Sequence, residues 1–181
     1  MIPDAIHSIV RNSETSPEDQ SVFFWVEWNE DDDQIPGMCE AILKTGQLAA
    51  DWDDDTMVIV WRGTRFPVAL TKSLPATLAA SPITAAIDAV LPLSISDALL
   101  WPSRGDRHIT LLALNRALHP DYEIRHVRAS DKDELAFAPL AASDWTALEQ
   151  QYGPVAVEAA FARLQDYPNL FTGSKQGVAL G

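Results

Sequence analysis

The chain has 181 residues, 47% of them apolar and 22% charged, enough for one domain, or two small closely packed ones, around a buried core. Its 26 acidic residues against 13 basic ones leave a formal net charge of −13, which repels polyphosphate and anionic lipid and argues against nucleic acid and membrane surfaces as partners. A basic protein, or a metal cation, would be attracted instead.

The lone cysteine, Cys39, allows no intramolecular disulfide and suits a reducing compartment. Met1 to His7 has no basic stretch followed by an apolar core, so no secretory signal is expected there. The longest apolar-rich region, Leu74 to Ile95, is interrupted by Pro75, Pro82, Asp88 and Pro92 and does not read as a membrane helix of roughly 20 apolar residues. A cytoplasmic location is the expectation.

In chain order, residues 12–20 are polar and turn-prone and read as a loop after a short N-terminal segment. Val22 to Trp28 is dense in aromatic and β-branched residues and predicts a buried strand. The acidic loop Asn29 to Asp33 leads into a helix over Ile35–Thr45, where Ile35, Met38, Cys39, Ile42 and Leu43 recur at helical spacing. Pro36 suits its first turn and Gly46 its stop. Leu48–Asp53 and Met57–Arg62 predict two strands joined by Asp53-Asp54-Asp55, the second apolar on both faces and therefore central. Gly63-Thr64 predicts a tight turn into a hairpin strand over Phe66–Leu70. A connection rich in Pro, Ala and Ser leads to a helix over Ile83–Leu91, with Ser81 as N-cap and Pro82 inside it.

Ala98–Trp101 predicts a short strand and Ser103–Arg107 a charged loop. A helix follows over Ile109–Leu118, then strands over Tyr122–Arg128 and Glu134–Ala138 around the charged turn Ala129–Asp133. Ser143-Asp144-Trp145 opens a helix that Gly153-Pro154 breaks, and a last helix runs from Val155 to Leu164. Residues 172–181 read as a flexible tail. The fold class is α+β, a mainly antiparallel sheet with helices packed on it. The order strand, helix, strand, strand, helix recurs in residues 1–94 and 95–171, which reads as two tandem halves; a single unrepeated sheet in one compact domain is the alternative.

The charge is uneven. Through Val60 there are 14 Asp and Glu residues against Arg11 and Lys44; beyond it the counts are 12 and 11. Two clusters carry the excess, Glu27, Glu30, Asp31, Asp32 and Asp33, then Asp51, Asp53, Asp54 and Asp55, each beside a tryptophan expected to be partly exposed, Trp28 and Trp52. A solvated, solubilising face explains such clusters. A docking surface for a basic partner also explains them, the acids speeding encounter and the tryptophans supplying buried anchors.

Catalytic and metal motifs fail on spacing. A calcium loop starting at Asp51 or Asp31 would need glycine at its sixth place and an acid at its twelfth, and finds Thr56 and Arg62, or Pro36 and Ile42. His7, His108, His119 and His126 are scattered, so no zinc pattern, metal or other cofactor is expected. His126, between Arg125 and Val127, reads as part of a solvated strand edge, and Cys39 as a buried inert thiol. No glycine-rich phosphate loop or Gly-x-Ser-x-Gly elbow occurs. In profile the chain resembles the immunity proteins that bacteria carry against their own interbacterial toxins; the likeness rests on no motif and carries over no residue. It implies a non-catalytic inhibitor of a cytoplasm-acting toxin. The alternative is a small enzyme or ligand-binding domain with a cleft between the halves, for which Asp97, Arg104, Asp106 and Arg107 are candidates.

Overall fold

The computed structural model describes residues 2–27, 30–68, 107–130, 134–166 and 169–171. The described chain runs α1 (Asp4–Arg11), β1 (Phe24–Glu27), a 3-10 turn (Asp32–Gln34), α2 (Ile35–Leu43), β2 (Leu48–Asp53), β3 (Thr56–Trp61), β4 (Thr64–Pro67), α3 (Arg107–Leu118), β5 (Tyr122–Val127), β6 (Glu134–Ala141), α4 (Ala142–Tyr152), α5 (Pro154–Ala160) and β7 (Phe161–Arg163). Two antiparallel sheets result, a four-stranded one in the order β1-β6-β5-β7 and a three-stranded meander β2-β3-β4. The class is α+β, as the pattern of elements predicts.

Period-two alternation sets the layers. Phe24, Val26, Ile124, Leu135 and Phe137 point from the larger sheet into one core, which they share with Ile35 and Cys39 of α2, Leu111 and Leu114 of α3, and Leu48, Met57, Ile59 and Trp61 of the smaller sheet. Helices α2 and α3 each touch both sheets and lie between them. Phe23, Ala136, Ala138 and Val127 face the other way, into a second core closed by Ile6 and Ile9 of α1, Trp145 and Leu148 of α4, and Val157 of α5. Helices therefore cover both faces of the larger sheet, which keeps its central strands dry: every residue from Leu135 to Leu140 is buried.

Local sequence explains the turns. Helix α2 ends where Lys44 adopts φ 55°, and Glu40 ties the turn down by accepting from Thr45 Oγ1 at 2.7 Å and from the Gly46 amide. Arg62 and Gly63 both have positive φ, 51° and 77°, the conformation that a two-residue hairpin between twisted strands demands. Asn115 Oδ1 accepts the Ile124 amide at 2.8 Å, seating α3 on β5.

Two expectations need correction. Asp4–Arg11 form a helix, not an undefined segment. The last helix stops at Ala160, and Phe161–Arg163 is a strand paired with β5, because the vacant edge of β5 supplies backbone partners that end the helix. β1 pairs with β6, across the division at residue 94, and the pairing does not confirm a tandem repeat. The strand over Ala98–Trp101, the helix over Ile83–Leu91 and the tail 172–181 lie outside the described residues.

Candidate functional site

The acidic surface is built on β2 and on the 3-10 turn ahead of α2. Helix α2 runs back to β2 through the short turn at Lys44–Gln47, so its N-terminal end meets the C-terminal end of that strand. The turn Asp32–Gln34 accordingly lies against β2, and the two acidic segments share one end of the molecule. Across from them, Arg107 Nη2 donates to the Glu30 carbonyl at 2.7 Å and fastens the first segment to the start of α3. Asp97, Arg104 and Asp106, candidates for the alternative cleft, lie outside the described residues, as does Trp28.

Alternation along β2 separates its acids from its tryptophan. Leu48, Ala50 and Trp52 form the core-facing row, opposite Trp61, Ile59 and Met57. Leu48 is buried, Ala50 half-buried, and Trp52, at the end of the row, is 49% exposed. Asp51 and Asp53 point to the outer face. There Arg65 of β4 reaches across β3 and forks between them, Nη1 to Asp51 Oδ2 and Nη2 to Asp53 Oδ1, both at 2.6 Å. This guanidinium, with the Trp52 amide that Asp51 Oδ1 accepts at 2.8 Å, holds the Asp51 carboxyl below the usual carboxylate range. One cation thus answers two of the four acids. Asp54, at φ 51°, and Asp55 form the exposed hairpin tip and meet no basic side chain among the described residues. Glu27, exposed at the end of β1, stands opposite Glu134 of β6, two like charges that add to the field.

The structure reverses the reading of β5. Arg125 and His126 are 2% and 7% exposed on a strand flanked on both sides, not on a solvated edge. Arg125 pairs with Glu123 at 3.0 Å and Glu149 at 2.9 Å, and its guanidinium carbon sits 4.4 Å from the centre of the Trp145 ring. Trp145 Nε1 donates to the Glu123 carbonyl at 2.8 Å. Arg163 joins the same two carboxylates. Every charge in this group has an opposite partner, which suits fastening α4 to the sheet more than proton transfer. His126 contacts Ser130 Oγ at 3.1 Å; burial first, and the Arg128 charge second, hold its imidazole down to about 4. Ser130 gives its own proton to the Val127 carbonyl at 2.8 Å.

Cys39 is fully buried in the core between the sheets, and burial followed by the charge of Glu40 pushes its thiol well above the ordinary range. Among the described residues no group of three His, Cys, Asp or Glu side chains is placed to hold a metal ion, and no helix is long and apolar enough to cross a membrane. No family model, curated protein or solved structure matches the chain.

Proposed function

We propose that this chain is a non-catalytic binding protein whose acidic end, made of the Asp31–Asp33 segment and the β2–β3 hairpin, engages a basic protein, in the manner of an immunity protein neutralising a cytoplasm-acting toxin. One observation carries the reading: the 3-10 turn at Asp32–Gln34 lies against β2, the strand that carries Asp51, Asp53 and the half-exposed Trp52. Clustered carboxylates raise the rate of encounter with a basic surface, and an aromatic ring at their margin supplies the desolvated anchor that charge alone lacks. Arg65 sharpens the assignment. Asp51 and Asp53 share a single cation within the chain and keep one net negative charge, so Asp31, Asp33, Asp54 and Asp55 carry most of the charge that meets a partner.

Expression of the protein encoded beside this chain, with and without the chain, tests the proposal. Toxicity relieved by the chain, and relieved less by a variant with Asp54→Asn and Asp55→Asn, supports it. Relief that is indifferent to those substitutions and to Asp31→Asn with Asp33→Asn overturns the acidic surface as the site.

A further inference from the structure

The three-stranded sheet has two edges, and they are not equivalent. In antiparallel pairs the residues that exchange both backbone bonds alternate with residues whose N–H and C=O point away. The Arg62 amide donates to the Gln47 carbonyl at 3.0 Å, so with the β2–β3 register the bonded pairs are Gln47 with Arg62, Ala49 with Val60, Asp51 with Val58 and Asp53 with Thr56. Leu48, Ala50 and Trp52 therefore turn their backbone groups outward. On the far side the Val68 amide donates to the Met57 carbonyl at 2.9 Å, so Arg65 and Pro67 are the outward residues of β4. Proline has no N–H to offer, which blunts that edge against another strand. The β2 edge has no such device at Ala50: among the described residues nothing bonds the outward groups of Leu48 or Ala50, and only the Trp52 amide is occupied, by Asp51 Oδ1. Ala49 and Ala50 leave the strand with little side-chain bulk.

We infer that the β2 edge accepts an extended, basic segment of a partner protein as a fourth strand of this sheet. The inference rests on the proposed acidic binding surface and names its mode. Backbone bonds from Leu48 and Ala50 give the added strand its register. Alternation then sets every second residue of that strand beside Asp51 and Asp53, where a lysine or arginine is matched by charge, and the residues between on the side of Trp52, where an apolar side chain is matched. The incoming carbonyl replaces Asp51 Oδ1 on the Trp52 amide, and that oxygen turns to the partner's cation while Asp51 Oδ2 stays on Arg65.

The test uses the whole chain and two synthetic peptides, an alternating lysine–valine hexamer and its threonine–valine counterpart. Amide hydrogen exchange is followed residue by residue. The expected result is that the lysine peptide binds, slows exchange at Leu48, Ala50 and Trp52 at least tenfold, and binds at least tenfold more weakly to Ala50→Pro, which deletes one outward N–H and no charge. The protection readout stands on the unaltered chain even where Ala50→Pro does not fold. A lysine peptide that binds without protecting these amides, or that binds Ala50→Pro equally well, overturns the added strand while leaving the acidic surface intact. Equal binding and protection by both peptides keeps the added strand and overturns the charge reading. Binding by neither overturns the added strand.

Discussion

Arg125 and Arg163 stand directly opposite each other on neighbouring strands β5 and β7, two like charges joined only through Glu123 and Glu149. A facing pair of cations is destabilising by itself, so each carboxylate bridges both. Because Glu149 lies on α4 and Glu123 on β5, the same group fixes the helix to the sheet. The two sides of the network are unequal: Arg125 is almost wholly buried, whereas Glu123 and Glu149 are each about one-quarter exposed.

That inequality orders the cost of breaking it. Glu149→Gln leaves a buried guanidinium with half its compensation, a change of about 3 kcal/mol. Arg125→Met removes the buried charge, keeps apolar volume against Trp145, and leaves carboxylates that retain Arg163 and water, so its cost is smaller. Urea unfolding of both variants measures the order; a larger loss for Arg125→Met contradicts it.

His126 makes stability depend on pH. Its imidazole stays neutral in the folded state down to about pH 4, while in the unfolded chain it takes a proton near pH 6.5. Between those values the unfolded state binds more protons, so stability is full above pH 6.5 and falls as the pH drops toward 4, by about 3 kcal/mol from this group. His126→Gln removes this part of the slope. Unfolding free energies at pH 7 and pH 4.5 for both proteins measure the difference; equal slopes contradict the burial assigned to His126.

Cys39, fully buried in the core between the sheets, reacts with a thiol reagent only when that core opens. Labelling is expected to be negligible in the native protein and complete in urea. Rapid native labelling would contradict its place in the core.

Arg65 lies on the exposed outer face, where its fork to Asp51 and Asp53 contributes little to stability. Arg65→Ala is expected to leave the unfolding midpoint nearly unchanged and to speed association with a basic partner, because two carboxylates lose their internal cation. Slower association of a folded Arg65→Ala protein would place Arg65 itself in the contact.

Much of the architecture was legible because it is local. Phe24–Glu27 within the aromatic run, the helical spacing of Ile35, Cys39 and Ile42, and the acid and glycine turns around Met57–Trp61 each sit in the element they announce. Helix α1 is legible too, in Ile6, Ile9 and Val10 at helical spacing on its buried side. The pairing of β1 with β6 was not legible, since no period along the chain records a partner more than 100 residues away. Arg125 misled for the same reason: a charged residue in a strand reads as solvated until Glu149, on a helix made later in the chain, supplies its counter-charge. At the candidate site the acids, the exposure of Trp52 and its placement on the face opposite Asp51 were legible, but not the Arg65 fork, which needs the β4 register.

The central claim, an acidic surface that captures a basic partner, is tested most directly by association kinetics. The association rate constant for the partner is measured from about 20 to about 500 mM salt for the wild-type chain and for a variant with Asp31, Asp33, Asp54 and Asp55 all replaced by Asn. The account predicts a rate at least tenfold lower for the variant at low salt, a flatter salt dependence, and convergence of the two at high salt. Equal rates and equal salt slopes would contradict it and leave the acids as solvated surface.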